Sequence, residues 1–266
     1  MRRIVLGIPV DVLSKKSAVK KICSWIESDQ SMKLVVTAYS EFFVQASRDE
    51  CFFRLMRDAD MVTPDGVSVL AATLYLRRAQ GKPGVIRALE LFRSAGEILG
   101  HKVGDVITGV WLFEELSKMA SKNKWRVFLL GGWNNVSEQA ALMLRERFPG
   151  IIVEYDSGEE HVGTDEKKNR EVINKINKFR PDILFVSYNP VKQEKWLDKH
   201  RSELRAKIGI GVGGTFDEYV GKVKKAPMWM ERMGLKWLWR LITEPKRIKR
   251  IVRAVVVFPW LLYKNK

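Results

Sequence analysis

The chain is poor in the residues that most catalytic chemistries use. Its 266 residues hold two cysteines, Cys23 and Cys51, and three histidines, His101, His161 and His200. The cysteines form no CxxC pair and no metal-ligand spacing, so neither a zinc site nor a disulfide framework is signalled. Two inert thiols in a reducing compartment are the expectation, with a Cys23–Cys51 bridge left open. The scattered histidines read as solvated surface residues. No DxD pair stands in a strand-end loop to bridge a diphosphate through a metal. Neither GxSxG nor GxxxxGK[ST] occurs, so hydrolase and kinase readings have no motif beneath them.

Long apolar runs are missing too. No window reaches the ~20 apolar residues that a membrane span needs. The longest candidate, Ala254–Tyr263, contains Pro259. In the opening MRRIVLGIPV the apolar run is only Ile4–Val10, ended by Asp11, with no small-residue cleavage site. It reads as a first strand and not as a signal peptide. Acid is scarce at the far end: residues 222–266 hold 13 Lys and Arg against Glu231 and Glu244, a net +11 of the chain's +16. A tail so basic calls for an anionic partner.

What is present is globular: 46% hydrophobic and 29% charged residues suit a packed domain and not a disordered chain. Strand-like runs at Arg3–Ile8, Lys33–Thr37, Met61–Thr63, Trp125–Leu130, Ile151–Tyr155, Ile183–Val186 and Lys207–Val212 alternate with helical periodicity. The helical stretches are Lys16–Ser28, Ser40–Asp58, Gly66–Arg78, Gly109–Lys122, Val136–Phe148, Lys167–Phe179 and Lys192–Ser202. This alternation predicts an α/β fold, a mostly parallel, Rossmann-like sheet flanked by helices. The expected organisation is a catalytic domain over 1–221 and a basic, Trp-rich helical appendage over 222–266. An amphipathic piece, Val85–Leu99, is left between ordinary packing and a lid or lipid contact.

Ligands of parallel sheets sit beyond the carboxyl ends of the strands. The loops expected there are Thr37–Glu41, Thr63-Pro-Asp-Gly66, Gly131–Asn135, Ser187–Glu194 and Gly213–Asp217. In the TPDG turn, Asp65 is either a cap that satisfies backbone N–H groups or a general base for a hydroxyl. The Gly131-Gly132 turn suits a phosphate at a helix start, yet it lacks the full GxGxxG and fits a plain connection as well.

Taken in order, TPDG at 63–66, ITG at 107–109, FLLGG at 128–132, PDILFV at 181–186, PVKQEKW at 190–196, GVGGTFDEYVGKVKKAP at 211–227 and GLKWLWRLITEPKR at 234–247 resemble the WecG/TagA/CpsF family of bacterial glycosyltransferases over nearly the whole chain. The resemblance implies inverting, metal-independent transfer of N-acetylmannosamine from a UDP donor to N-acetylglucosamine on a polyprenyl diphosphate, without a cofactor. Such chemistry belongs to the synthesis of teichoic-acid-like cell-wall or surface polysaccharide. It implies Asp65 as base with Thr37 beside it, and a nucleotide-sugar site of Gly109, Gly131, Gly132, Gln193, Gly213 and Asp217. The same family uses other donors, and UDP-N-acetylmannosaminuronic acid and UDP-glucose stay open. Where the family usually has proline and asparagine after the threonine, this chain has Ala38 and Tyr39.

The tail carries Trp229, Trp237, Trp239 and Trp260, four of nine tryptophans, interleaved with Lys and Arg. That pattern suits an interfacial helix lying on an anionic bilayer. Arg240, Arg247 and Arg250 share one face of a continuous helix and suit a diphosphate of donor or lipid acceptor, unless Pro245 breaks the helix. A peripheral position on the cytoplasmic face of the membrane is therefore expected, with no nucleic-acid partner and a homo-oligomer left open. A non-catalytic protein of the same fold is the alternative.

Overall fold

The computed structural model describes residues 1–28, 31–79, 104–158, 165–224, 226–227, 229–230, 236–245 and 248–264, with Glu90, Arg93, Ser94 and Glu97. The Val85–Leu99 piece lies largely outside them, as do His101 and His161. Six strands make one parallel sheet in the order β4-β3-β8-β7-β5-β6, numbered along the chain. They are β3 (Lys33–Ala38), β4 (Met61–Pro64), β5 (Arg126–Gly131), β6 (Ile152–Asp156), β7 (Ile183–Ser187) and β8 (Ile208–Gly211). The α/β expectation is met, with helices flanking the sheet and further helices at the carboxyl end.

The chain divides into two compact units. One gathers Met1–Lys15, Ala38–Thr108 and Lys224–Lys266; the other gathers Lys16–Thr37 and Gly109–Val223. In the second unit the core is the run of fully buried strand residues Val127–Leu130, Ile183–Val186, Ile208 and Ile210. Such doubly covered strands read as continuous apolar runs because neither face meets water. Helices α5 (Gly109–Asn123), α6 (Val136–Arg147), α7 (Glu166–Phe179) and α8 (Lys192–Lys199) bury their apolar faces there. Phe113 of α5 is the hub, its ring 5.0 Å from that of Phe185 and 5.5 Å from that of Phe216.

In the first unit, β1 (Arg2–Val5) and β2 (Ile8–Asp11) form a separate antiparallel hairpin, in place of the single strand expected over Arg3–Ile8. The turn puts Leu6 at φ 48° and Gly7 at φ 81°, a primed hairpin geometry without the usual Asn-Gly signal. Asp11, 3% exposed, closes the hairpin by accepting from Arg2 Nε at 3.1 Å and from the Val62 amide at 3.0 Å.

The helix expected over Ser40–Asp58 is two, α2 (Ser40–Ala46) and α3 (Glu50–Asp58). Asp49 accepts from the Phe52 amide and caps α3, a competing local bond that Asp makes readily. Phe52, Leu55 and Met56 then bury one face of α3 at helical spacing, each contributing about 1.5–3 kcal/mol.

The last segment holds α10 (Lys236–Thr243), α11 (Ile248–Val252), a π-helical stretch over Arg253–Val257 and α12 (Phe258–Lys264). The continuous helix expected to align Arg240 and Arg250 is therefore broken. Pro245 lacks the N–H that would continue α10, and it disfavours helical geometry in Glu244. Among the described residues no helix is long and apolar enough to cross a membrane. His200 is a further correction. It is 6% exposed, its ring 5.2 Å from that of Trp196, and Asn169 bridges the two side chains. Both cysteines are free.

Candidate active site

In the second unit, the carboxyl ends of β5, β7 and β8 are laced together by short polar bonds. Glycine makes this possible at two points where a side chain has no room. Gly131, the last residue of β5, sits at φ 94°, and a Cβ there would lie 2.6 Å from the Ser187 carbonyl oxygen. The Gly132 amide donates to that same carbonyl at 3.0 Å. Ser187 in turn donates its hydroxyl to the Gly213 carbonyl at 2.5 Å.

Gln193 and Glu194 open helix α8, short after Pro190. The Gln193 side chain accepts from the Gly213 amide at 3.0 Å and donates to Glu194 Oε1 at 2.6 Å. Glu194 also accepts from the Val191 amide at 2.7 Å, which holds Val191 at φ 72°. This pair lies directly over Gly211, where a Cβ would collide with both side chains. Glu194 is fully buried, and desolvation pushes its carboxyl up to about 7, against the opposing pull of the Gln193 and backbone donors.

Thr37 is buried, and its hydroxyl donates to the Gly211 carbonyl at 3.1 Å, between β3 and β8. Gly109 leaves space beside it: a Cβ there would lie 3.4 Å from the Thr37 hydroxyl and 3.3 Å from that of Thr215. Thr215 opens a short helix, α9 (Thr215–Tyr219), which carries Asp217 half-buried in its first turn. Thr37, Gly109, Gly131, Gly132, Gln193 and Gly213 thus belong to one connected cluster of loop ends. Asp217 is attached to it through the α9 backbone.

In the first unit, Asp65 follows β4. Its amide donates to the Ala38 carbonyl at 2.8 Å, and its side chain is half-exposed. Gly66, at φ 145°, completes the turn, and Val67 begins helix α4 (Val67–Ala79). Ile107 runs alongside, its amide donating to the Pro64 carbonyl and its carbonyl accepting from the Thr63 hydroxyl. Close by in the chain, Glu41 accepts from Arg250 Nε and from Arg253 Nη1, both at 3.1 Å. Arg240, by contrast, is held locally by Glu244, one helical turn on, at 2.6 Å. Arg247 lies outside the described residues.

The bonding of Glu41, Tyr39, Arg253 and Glu194 was not signalled by motif. Glu194 stands inside the PVKQE block beside Gln193, so its acidity in an apolar surrounding was a usable cue. Glu41 offered none, because its partners lie 209 and 212 residues away.

A parallel sheet with turns of glycine, threonine and carboxylate at the carboxyl ends of its strands is the architecture of α/β enzymes, which as a class bind small molecules at those ends. The particular family follows from comparison. The model of the Glycosyl transferase WecG/TagA/CpsF family matches residues 3–94 and 91–266, and the chain belongs to that family. It is a glycosyltransferase. An N-acetylglucosaminyldiphosphoundecaprenol N-acetyl-beta-D-mannosaminyltransferase of Staphylococcus aureus strain MRSA252 is 28% identical over 263 residues, spanning 98% of this chain and 92% of the relative. Proteins of the same name from strains NCTC 8325 / PS 47 and COL are 27% identical over the same spans.

Proposed function

We propose that the enzyme moves N-acetylmannosamine from UDP to N-acetylglucosamine carried on a polyprenyl diphosphate, with inversion and without a metal, for a teichoic-acid-like cell-wall polysaccharide. The names of its relatives supply the sugar and the acceptor. The observation that carries the mechanism is Asp65, a half-exposed carboxylate on a turn fixed by its own amide to the Ala38 carbonyl. The acceptor hydroxyl oxygen bonds to the anomeric carbon as its proton passes to Asp65. The bond from that carbon to the diphosphate oxygen breaks, and its electron pair leaves with UDP.

The nucleotide is assigned to the second unit, on Gly109, Gly131, Gly132, Gln193, Gly213 and Asp217. Their glycines, lacking side chains, let a ligand approach the backbone closely. Thr37 positions the reacting sugar from beside them, its hydroxyl oriented by the Gly211 carbonyl. The departing diphosphate is assigned to Arg250, with Arg240 and Arg247 on the same arm. Planar guanidinium forks match diphosphate oxygens and stabilise charge as it develops.

The acceptor's lipid requires a membrane surface, and the first unit offers a face for one. Trp229, Ile242, Val256 and Trp260 are 59, 65, 60 and 55% exposed within the most basic stretch of the chain. Tryptophan at an interface, with Lys and Arg adding about 1 kcal/mol each near anionic lipid, describes peripheral binding. The cytoplasmic face, where UDP-sugars are made, is the proposed side.

The decisive assay offers UDP-N-acetylmannosamine and a polyprenyl-diphosphate N-acetylglucosamine in anionic vesicles to the full chain and to Asp65→Asn. Transfer by the former and not by the latter, with UDP binding kept in both, is the expected result. Transfer only from UDP-N-acetylmannosaminuronic acid or UDP-glucose would overturn the donor assignment, and no transfer from any donor would overturn the reading itself.

A further inference from the structure

Helix α2 is a place where the carboxyl-terminal arm meets the rest of the first unit, and it meets it at two different poles. One pole is apolar: the rings of Phe43 and Phe258 are 5.6 Å apart, and both residues are about 1% exposed. The other is ionic. Glu41 lies in the first turn of α2 with its side chain 6% exposed, and it receives Arg250 on one oxygen and Arg253 on the other. Tyr39 ties the group together, donating its hydroxyl to Glu41 Oε2 at 3.1 Å and accepting from Arg250 Nη2 at 3.3 Å.

Two features separate this cluster from an ordinary surface ion pair. The carboxylate is buried, so its bonds with the two guanidiniums are charge-assisted and poorly screened. Two cations also share one anion, so the three side chains together carry +1. Both arginine side chains remain about a third exposed, at 35 and 34%. Arg250 uses Nε and one terminal nitrogen on Glu41 and Tyr39, and Arg253 uses one terminal nitrogen. The rest of each fork has no further protein partner among the described residues. Spaced three apart at the junction of α11 and the π-helical stretch, the forks face the same way.

We infer that Glu41 is a positioning residue for the transfer reaction. With Tyr39 it holds the guanidiniums of Arg250 and Arg253 in one fixed orientation, as a paired seat for a diphosphate. This rests on the transferase reading above. It adds Arg253 to the arginines assigned to the phosphates, and gives Glu41 a task that docking of the arm does not need, since Phe43 and Phe258 already supply that.

Orientation and simple charge balance predict opposite results when the carboxylate is neutralised. If Glu41 only offsets positive charge, Glu41→Gln leaves the arginines more cationic, so diphosphate binding tightens and transfer holds or rises. If it orients them, the transition state loses its aligned donors. Then kcat falls between about 10- and 100-fold, while KM for the lipid-linked acceptor stays level or falls.

The test compares the full chain with Glu41→Gln and Glu41→Asp in anionic vesicles carrying the polyprenyl-diphosphate acceptor, with amide exchange over 258–264 followed in parallel. The expected outcome is lowered kcat in Glu41→Gln, partial recovery in Glu41→Asp, and unchanged protection of 258–264. Adding Glu41→Gln to an Arg250→Ala, Arg253→Ala background should cost nothing more. Unchanged kcat in an active Glu41→Gln enzyme overturns the inference alone, as does multiplication of the effects. Loss of protection at 258–264 that accounts for the lost rate also overturns it, by making Glu41 an anchor. Absence of transfer by the unaltered chain from any UDP-sugar overturns the transferase reading, and this inference with it.

Discussion

The amide of Asp65 donates to the carbonyl of Ala38 at 2.8 Å, which fixes the turn that carries the proposed base. A base held by its own backbone keeps its geometry when its side chain is changed. Asp65→Asn should therefore lower kcat by about 10²- to 10⁴-fold, the range of a lost general base. UDP affinity measured by calorimetry should be unchanged, because the nucleotide is assigned to other residues. A fall in UDP affinity equal to the fall in rate would show Asp65 to be a binding group.

Glu194 sets a pH dependence of stability whose sign is fixed by its raised pKa. Below its ordinary value of 4.5 the carboxyl is protonated in folded and unfolded chains alike, and nothing is lost. As pH climbs to about 7, the unfolded chain gives up a proton that the folded one keeps, so stability declines. Above that the loss is complete, at about 3 kcal/mol. Urea midpoints of the natural protein should fall relative to those of Glu194→Gln between these limits and run parallel outside them. Parallel midpoints throughout would show Glu194 to be ionised in the fold.

Glycines 211 and 214 stand three residues apart and should respond differently. An alanine Cβ at Gly211 would meet Glu194 and Gln193, whereas Gly214 has nothing within 4 Å. Gly211→Ala is expected to cost about 1–3 kcal/mol, as overpacking does, and Gly214→Ala to stay within about 0.5 kcal/mol. Chemical denaturation of the two variants decides it. Equal effects would mean that the Gln193–Glu194 pair yields freely.

Membrane contact is testable without any chemistry. Co-sedimentation with anionic vesicles should weaken as salt rises, since the basic residues of the arm are screened over a Debye length of about 8 Å at physiological strength. Replacing Trp229 and Trp260 by serine should weaken it at every salt concentration, while circular dichroism stays the same because both side chains are exposed. Binding to neutral and anionic vesicles alike would remove the electrostatic part of the proposal.

The strand–helix alternation was legible because doubly buried strands such as Phe128–Leu130 and Leu184–Val186 leave continuous apolar runs. So was the cluster of Gly131, Gln193 and Gly213, whose residues fall in short motifs at strand ends. The hairpin turn at Leu6-Gly7 was not, since a leucine at positive φ carries no turn signal. Nor was the division of α2 from α3, because Asp49 fits a helix surface as well as a cap. The Glu41 cluster lay furthest from reach. Its bonds join segments more than 200 residues apart, and only the folded chain reveals which arginines of a basic tail meet a carboxylate.

The first unit is assembled from three pieces of sequence, and Phe258 of the last packs against Phe43 of the second. During synthesis the helix carrying Phe43 is made some 200 residues earlier, and that aromatic face must wait uncovered until the arm arrives. The arm follows the whole of the second unit in the chain, so that unit can fold first, as domains commonly do during synthesis. Order of maturation thus need not follow order in sequence: the middle of the chain can be finished before its beginning.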